Sequence, residues 1–313
     1  MRRAHRLKIL FMGTPDFARA HLAALIGSEH SVTAVISQPD KPKGRKKILT
    51  APPVKELAVG ENIPVYQPET LKDGAITDIL CEHNPDIIVV VAYGKILPEY
   101  VLGFPKYGCI NVHGSLLPKY RGASPVQTAL IEGESETGVT VMYMDKGLDT
   151  GDIILKEKCP IAIDDDQTSL FSKLEKVGCH ALLSALSKIA DGTAEREKQD
   201  DEKATYTHML TAQTGQIDWS KSAKAVHDLV RGTYPWPAAY SYIGGKKMKI
   251  TKTEIADGTG EPGCVLSEDK EGLTVACGSG AVKILRLQAE GGKEMAAPDY
   301  LRGHKIENGT KFD

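Results

Sequence analysis

The sequence has no apolar run that could cross a bilayer: the longest, Ile87 to Ala92, falls far short of the roughly 20 residues that a spanning helix needs. Its start, Met1 to Arg6, carries no signal-peptide cleavage pattern, so a cytoplasmic protein with no membrane partner is expected. The six cysteines, at positions 81, 109, 159, 179, 264 and 277, include no Cys-x-x-Cys pair. That spacing argues against zinc ribbons and dithiol redox motifs and leaves buried, reduced thiols. There is no excess of either charge: the formal net charge of −2 excludes a globally basic nucleic-acid binder, although a local basic patch stays open. No internal repeat is present. The turn Gly13-Thr14-Pro15-Asp16-Phe17 lacks the second and third glycines that admit a dinucleotide pyrophosphate, and reads as a tight strand-to-helix turn. No Gly-x-Ser-x-Gly elbow surrounds Ser115, so a serine nucleophile is not expected.

What is there reads as α/β. At 313 residues the chain has room for two cores, at about 150 residues per domain. Leu7 to Met12 predicts a strand, Thr14 a helix cap, and Ala18, Leu22 and Leu25 the buried stripe of the helix that follows. Further strands are predicted over Val32 to Ser37, Asp86 to Ala92, Cys109 to His113 and Val139 to Met144. A helix from about Ser169 to Ile189 follows the acidic run Asp164 to Asp166, which complements its N-terminus. Strands alternating with helices imply a doubly wound, mostly parallel, Rossmann-like sheet over residues 1–190. A charged stretch, 191–207, is the expected linker. Residues 208–313 predict a short helix, Ala223 to Arg231, and then short strands, among them a pair flanking Gly244-Gly245. They complete a small antiparallel β-barrel of the oligonucleotide-binding type.

The chemistry concentrates at Cys109-Ile110-Asn111-Val112-His113. In a strand, Asn111 and His113 leave the same face, while Ile110 and Val112 point the other way. The chain then breaks at Gly114, and the carboxyl ends of buried parallel strands are where α/β proteins keep ligand sites. Polar residues there are costly unless they work or pair. The turn Asp149-Thr150-Gly151-Asp152 follows another strand. An amide donor, an imidazole and a carboxylate together can stabilise an oxyanion and move a proton, which favours direct transfer to an incoming nucleophile. His113, Asp149 and Asp152 have no recognisable metal-ligand spacing, and no metal is expected.

The run Asn111-x-His113-Gly114-Ser115-Leu116-Leu117-Pro118-x-Tyr120-Arg121-Gly122, followed by Asp149-Thr150-Gly151-Asp152, resembles the signature of the 10-formyltetrahydrofolate-dependent formyltransferases. The resemblance implies that Asn111, His113 and Asp149 form the catalytic set. It also implies that Ser115, Leu116, Leu117 and Pro118, with Tyr93, Gly94, Lys95, Ile96 and Leu97, border the pocket of a consumed folate cosubstrate. Hydrolases and sugar-nucleotide formyltransferases share this core, so a small amine or water remains an alternative acceptor. Two features choose among acceptors. Five of the seven residues from Lys41 to Lys47 are Lys or Arg and none is acidic. As a charge run this reads as a solvated loop, but it is similar to the basic loop of family members that formylate methionyl-initiator tRNA. That likeness implies phosphate contacts from Lys41, Lys43, Arg45, Lys46 and Lys47. The barrel resembles the second domain of the same members, and Ile217-Asp218-Trp219-Ser220 and Tyr234-Pro235-Trp236-Pro237 resemble further segments of them. An RNA-binding module without catalysis would have lost Asn111, His113 or Asp149. All three are present.

Overall fold

The computed structural model describes residues 6–44 and 47–313, which fall into two compact units. The first comprises the chain up to Gly122, Thr137–Cys159 and Ser172–Tyr206; the second comprises Ala123–Glu136, Pro160–Phe171 and Thr207–Asp313.

The first unit is a seven-stranded sheet of β1 (Lys8–Gly13), β2 (Ser31–Ile36), β3 (Val65–Tyr66), β4 (Ile87–Val91), β5 (Cys109–His113), β6 (Glu136–Tyr143) and β7 (Ile153–Pro160). Their order is β7-β6-β5-β4-β1-β2-β3. The pairs β1–β2, β1–β4, β2–β3 and β4–β5 are parallel, whereas β5–β6 is antiparallel. This is the doubly wound Rossmann-like layout, and the chain reverses its direction of travel across the sheet between β1 and β4. Every residue of β4, Ile-Ile-Val-Val-Val, is buried, as a central parallel strand covered on both faces requires.

Helix α1 (Asp16–Ile26) buries Ala18, His21, Leu22 and Leu25. Thr14 does not cap it: Pro15 stands at the cap, and the Thr14 hydroxyl donates instead to the carbonyl of Tyr93 at 3.3 Å. Gly13 is needed for space, since a Cβ there would lie 2.7 to 2.9 Å from Phe11, Ala18 and the Val91 carbonyl. The glycine therefore serves close packing of strand and helix. Helix α2 (Gln167–Ala190) is capped by Asp166, whose Oδ1 accepts from Ser169 N at 2.9 Å. On α2, Gly178 leaves the room that the His21 ring fills.

The second unit is built around an antiparallel sheet of β8 (Ala239–Ile243), β9 (Lys246–Ala256), β10 (Val265–Glu268), β11 (Leu273–Ala276) and β12 (Ala281–Ala289), in the order β8-β9-β12-β11-β10. Gly244 and Gly245, both at positive φ, turn the chain from β8 to β9, as two-residue hairpins with the right twist demand. Residues 310–313 close the sheet into a barrel. Val265 N donates to Thr310 O, Phe312 N to Gly263 O and Asp313 N to Tyr242 O, each at 2.9 Å. Phe312 drops into the core against Trp219, with ring centroids 5.6 Å apart, beside Ile250, Val275, Ile284 and Leu287. Helix α3 (Ala223–Thr233) lies on the sheet and also packs on the helix Pro125–Ile131, where Gly232 makes room for Ile131.

Two features differ from the sequence-based division. The second unit also takes Ala123–Glu136 and Pro160–Phe171 from within the expected first domain: the helix Pro125–Ile131 packs on α3, and the buried Arg231 and Gln167 knit Pro160–Phe171 to it. Arg231 donates to the carbonyls of Ala162 and Asp165, and Gln167 donates to Gly232 O. The expected linker, 191–207, is bonded up to Tyr206 into the first unit: Glu197 exchanges backbone hydrogen bonds with Ile153 at 2.8 and 3.0 Å, and Thr205 O accepts from Arg121 N at 2.8 Å. Its charged side chains face water while its main chain pairs, and composition reports only the former.

His21 gives the first unit an acid limit. It is fully buried, its Nδ1–H donates to Phe17 O at 2.7 Å, and burial pushes its imidazole down to about 4 from the usual 6.5. The unfolded chain thus takes up this proton near pH 6.5 and the folded chain only near 4. The stabilisation is complete above pH 6.5 and is lost as pH falls to 4, by about 3 kcal/mol at ~1.4 kcal/mol per pH unit. Unfolding midpoints measured from pH 7 to 4 are expected to fall less steeply for His21→Gln than for the parent chain. Parallel slopes would rule His21 out as the source.

Candidate active site

β5 carries Asn111 and His113 between a parallel and an antiparallel neighbour: Asn111 faces Val90 of β4 and Met142 of β6, and His113 faces Thr140. Past Gly114 the chain folds over its own strand end. Ser115 is fully buried; its hydroxyl donates to Lys119 O at 2.6 Å, and its carbonyl accepts from the Thr140 hydroxyl at 2.6 Å. Thr140 also accepts from Leu117 N at 3.0 Å, so one hydroxyl on β6 ties down both ends of Ser115-Leu116-Leu117.

This folding returns Tyr120 to His113. The Tyr120 carbonyl accepts a hydrogen bond from Nε2 at 2.9 Å, which requires a proton on that nitrogen. The other ring nitrogen, Nδ1, lies 3.6 Å from Asp149 Oδ2, with side-chain exposures of 6% and 14%. Asp149 Oδ2 in turn accepts from Gly122 N at 2.8 Å. With Nε2–H on Tyr120 O, Nδ1 faces Asp149 across a gap too long for a direct hydrogen bond, and the carboxylate stands where it can balance the charge of a doubly protonated ring. Asn111 is half-buried, and its amide makes no hydrogen bond among the described residues. The three polar groups thus comprise an amide free to donate, an imidazole and a carboxylate.

The structure places the other sequence-selected residues unevenly. Tyr93 to Leu97 leave the carboxyl end of β4, next to β5. The Tyr93 carbonyl is held by the Thr14 hydroxyl and by Gln38 Nε2 at 3.1 Å, which bridges the reversal point of the sheet. Its phenol is buried with no hydrogen-bond partner among the described residues, and burial pushes it up to about 12. Lys95 Nζ donates to the carbonyls of Pro68 and Glu69 at 2.9 and 2.6 Å; Gly94 is exposed and Ile96 is 86% exposed, whereas Leu97 is in the core. Leu116 and Pro118 are half-buried, whereas Ser115 and Leu117 are enclosed and can act only by shaping the loop. Asp152 pairs with Arg196 at 3.6 Å. Among the described residues, no three His, Cys, Asp or Glu side chains are grouped to hold a metal, and no helix is long and apolar enough to cross a membrane. Residues missed from sequence are Thr14, Gln38, Thr140, Arg121 as a side chain, and Gln199, whose charged neighbourhood gave no signal.

The basic stretch is a hairpin rather than a loop. Lys41–Lys43 pairs antiparallel with Ile48–Thr50, with the neighbouring Ile48 and Leu49 both exposed. Lys41, Lys43 and Lys47 are exposed, while Arg45 and Lys46 lie outside the described residues.

Residues 6–186 match the family model described as formyl transferase, and residues 209–305 match that of the formyl transferase C-terminal domain. The chain belongs to the formyl transferase family. Among the relatives of this formyl transferase, the methionyl-tRNA formyltransferase of Acetivibrio thermocellus is 49% identical over 308 residues, 97% of this chain and 98% of that one. That of Geobacter metallireducens is 46% identical over 306 residues, 98% of each. Among solved structures, HypX of Aquifex aeolicus in complex with tetrahydrofolic acid superposes with a TM-score of 0.66 at 18% identity, over 95% of this chain and 47% of HypX. An N-formyltransferase from Helicobacter canadensis, solved with folinic acid and dTDP-3-aminofucose, gives a TM-score of 0.66 at 19% identity, over 92% of this chain and 100% of that one. At such identities these two report the fold.

Because the Ser115 hydroxyl is bonded and buried, Ser115→Ala should lower the stability of this formyl transferase by about 1–2 kcal/mol. Denaturant unfolding followed by circular dichroism measures it; an unchanged midpoint would mean that the loop does not depend on this bond.

Proposed function

We propose that this chain transfers the formyl group of 10-formyltetrahydrofolate to the α-amino group of methionyl-initiator tRNA in the cytoplasm, yielding formylmethionyl-tRNA and tetrahydrofolate. The observation that carries the reading is the unpaired Asn111 amide on the same strand face as a histidine set against a carboxylate. The neutral amine attacks the formyl carbon, a C–N bond forms, and the carbonyl oxygen becomes an oxyanion. Asn111 donates to that oxygen. His113 adds positive charge beside it, with Asp149 as the counter-charge. Nε2–H is held by Tyr120 O, whereas Nδ1 is beyond direct hydrogen-bond range of Asp149, so the Nδ1 proton is the one available to the departing N10, directly or through water. The bond from the formyl carbon to N10 then breaks, N10 gains a proton, and the attacking amine loses one. No metal enters these steps.

The folate is proposed to lie against Gly94, Ile96, Leu116 and Pro118, on the loops that leave β4 and β5. The acceptor is read from the relatives' names together with the Lys-rich hairpin and the barrel. Incubation with 10-formyltetrahydrofolate and charged initiator tRNA should give formylmethionine. Equal transfer to a free amine or to water, with no preference for the tRNA, would overturn the acceptor.

Asn111→Ala and His113→Ala are each expected to lower kcat on the order of 100-fold or more, with folate affinity nearly unchanged, because both act on charge that develops in the transition state. Asp149→Asn keeps the shape and removes the counter-charge, so its turnover should fall and its pH profile should shift. Near-normal turnover in folded variants would refute the assignment. If the hairpin holds phosphates, the triple variant of Lys43, Arg45 and Lys46 to Ala should bind tRNA more weakly, with a salt slope shallower by roughly 0.7 to 0.9 per lost contact. An unaltered slope would mean a merely solvated hairpin.

A further inference from the structure

Asp149 is the member of the site that its own backbone supports least. It stands in the turn between β6 and β7 at φ +54°, in the left-handed region that a residue with a Cβ adopts at some cost. The turn is pressed against the end of β6 at Gly151, where a Cβ would run into the Tyr143 carbonyl. Something outside the turn must fix it. Gln199 donates from Nε2 to the Asp149 carbonyl and to the Gly151 carbonyl, both at 2.8 Å. The same amide accepts through Oε1 from Arg121 Nε at 3.1 Å and Nη2 at 2.8 Å.

Arg121 is the buried centre of this arrangement, at 1% exposure. Its Nη2 also donates to Asp201 Oδ1 at 2.7 Å and its Nη1 to the Tyr206 hydroxyl at 3.3 Å. The residues on either side of it make the two main-chain contacts of the site: Tyr120 O receives His113 Nε2–H, and Gly122 N–H meets Asp149 Oδ2. A closed ring therefore runs from His113 to Tyr120, through Arg121 and Gln199 to the Asp149 backbone, and back through the Asp149 carboxylate to His113.

We infer that Gln199 and Arg121 are positioning residues for the formyl transfer, holding the Asp149 turn so that its carboxylate faces His113 at a fixed distance. The inference rests on the proposed reading of His113 and Asp149 as the reacting pair. Gln199 is the better handle because it is half-buried on a surface segment, whereas Arg121 is enclosed. A carboxylate at 199 still accepts from Arg121 but cannot donate to the two carbonyls, which isolates the contact to the turn.

The test uses the full chain with Gln199→Glu and Gln199→Leu, alone and combined with Asp149→Asn. Each single variant is expected to lower kcat about 10-fold with KM for both substrates within about threefold. The pH profile should move in the direction seen for Asp149→Asn. The combined variants should be no slower than Asp149→Asn alone, since residues acting through one group are not additive. The imidazole nitrogen resonances of His113, followed by NMR without substrate, should move in both Gln199 variants. Unmoved His113 resonances in a folded Gln199→Glu chain, or losses that multiply with Asp149→Asn, overturn the inference. Moved resonances with near-normal kcat in both Gln199→Glu and Asp149→Asn would instead overturn the assignment of the reacting pair and leave the positioning standing. The Leu variant guards against an effect of the added charge.

Discussion

Two successive main-chain contacts, from Tyr120 O to His113 and from Gly122 N–H to Asp149, decide how the reactive groups stand. The two peptide groups flank Arg121, and the chain enters and leaves the pair through positive φ, +63° at Tyr120 and +113° at Gly122. Main-chain dipoles of this kind keep their strength whatever the side chain, and they cannot swing away. The cost is transferred to the loop, which must be held by other means. Ser115 and Thr140 hold its entry, and the buried guanidinium of Arg121 holds its exit.

The sheet supplies the second constraint. β5 is parallel to β4 but antiparallel to β6, so the loop that leaves its carboxyl end lies beside the start of β6 rather than beside another carboxyl end. That is why a hydroxyl in the middle of β6, on Thr140, can reach two peptide groups of the loop. The turn carrying Asp149 leaves the far end of the same strand. One antiparallel strand thus serves both the folded-over loop and the carboxylate, an economy that a wholly parallel sheet would not permit.

Part of this was legible in the residues. β5 runs over Cys109–His113 as its alternation predicts, because period-2 patterning on a covered strand is nearly unambiguous. The twin glycines, the buried stripe of α1 and the acidic start of α2 were equally plain. The turn Asp149–Asp152 was legible as a source of a carboxylate, but the choice of Asp149 within it came from the family signature, since one carboxylate in a turn resembles another. Gln199 was invisible: it works through carbonyls of residues fifty positions away, and such contacts leave no local pattern. Thr14 was misread for the opposite reason, as a residue with an obvious local role that is used at long range instead. The basic hairpin is three residues long on each side and has no alternation of buried and exposed positions by which its strands could be read. The membership of Pro160–Phe171 in the second unit likewise depends on buried polar bonds to α3, and that of Ala123–Glu136 on helix packing distant in sequence, neither of which periodicity records.

That membership bears on how the chain is made. At roughly 5–20 residues per second of synthesis, about 7–28 s pass between the emergence of Phe171 and that of Phe312, whose ring completes the core of the barrel. Until α3 has been synthesised, Val126, Ala129 and Leu130 of the segment Pro125–Ile131 lack the helix against which they pack in the folded unit. When Phe171 is made, the first unit still lacks Ser172–Tyr206. A chain at that stage carries apolar side chains whose packing partners are encoded downstream, the kind of surface that chaperones recognise. A chain whose second unit is assembled from three separate segments binds its own biosynthesis to the late closure of a barrel.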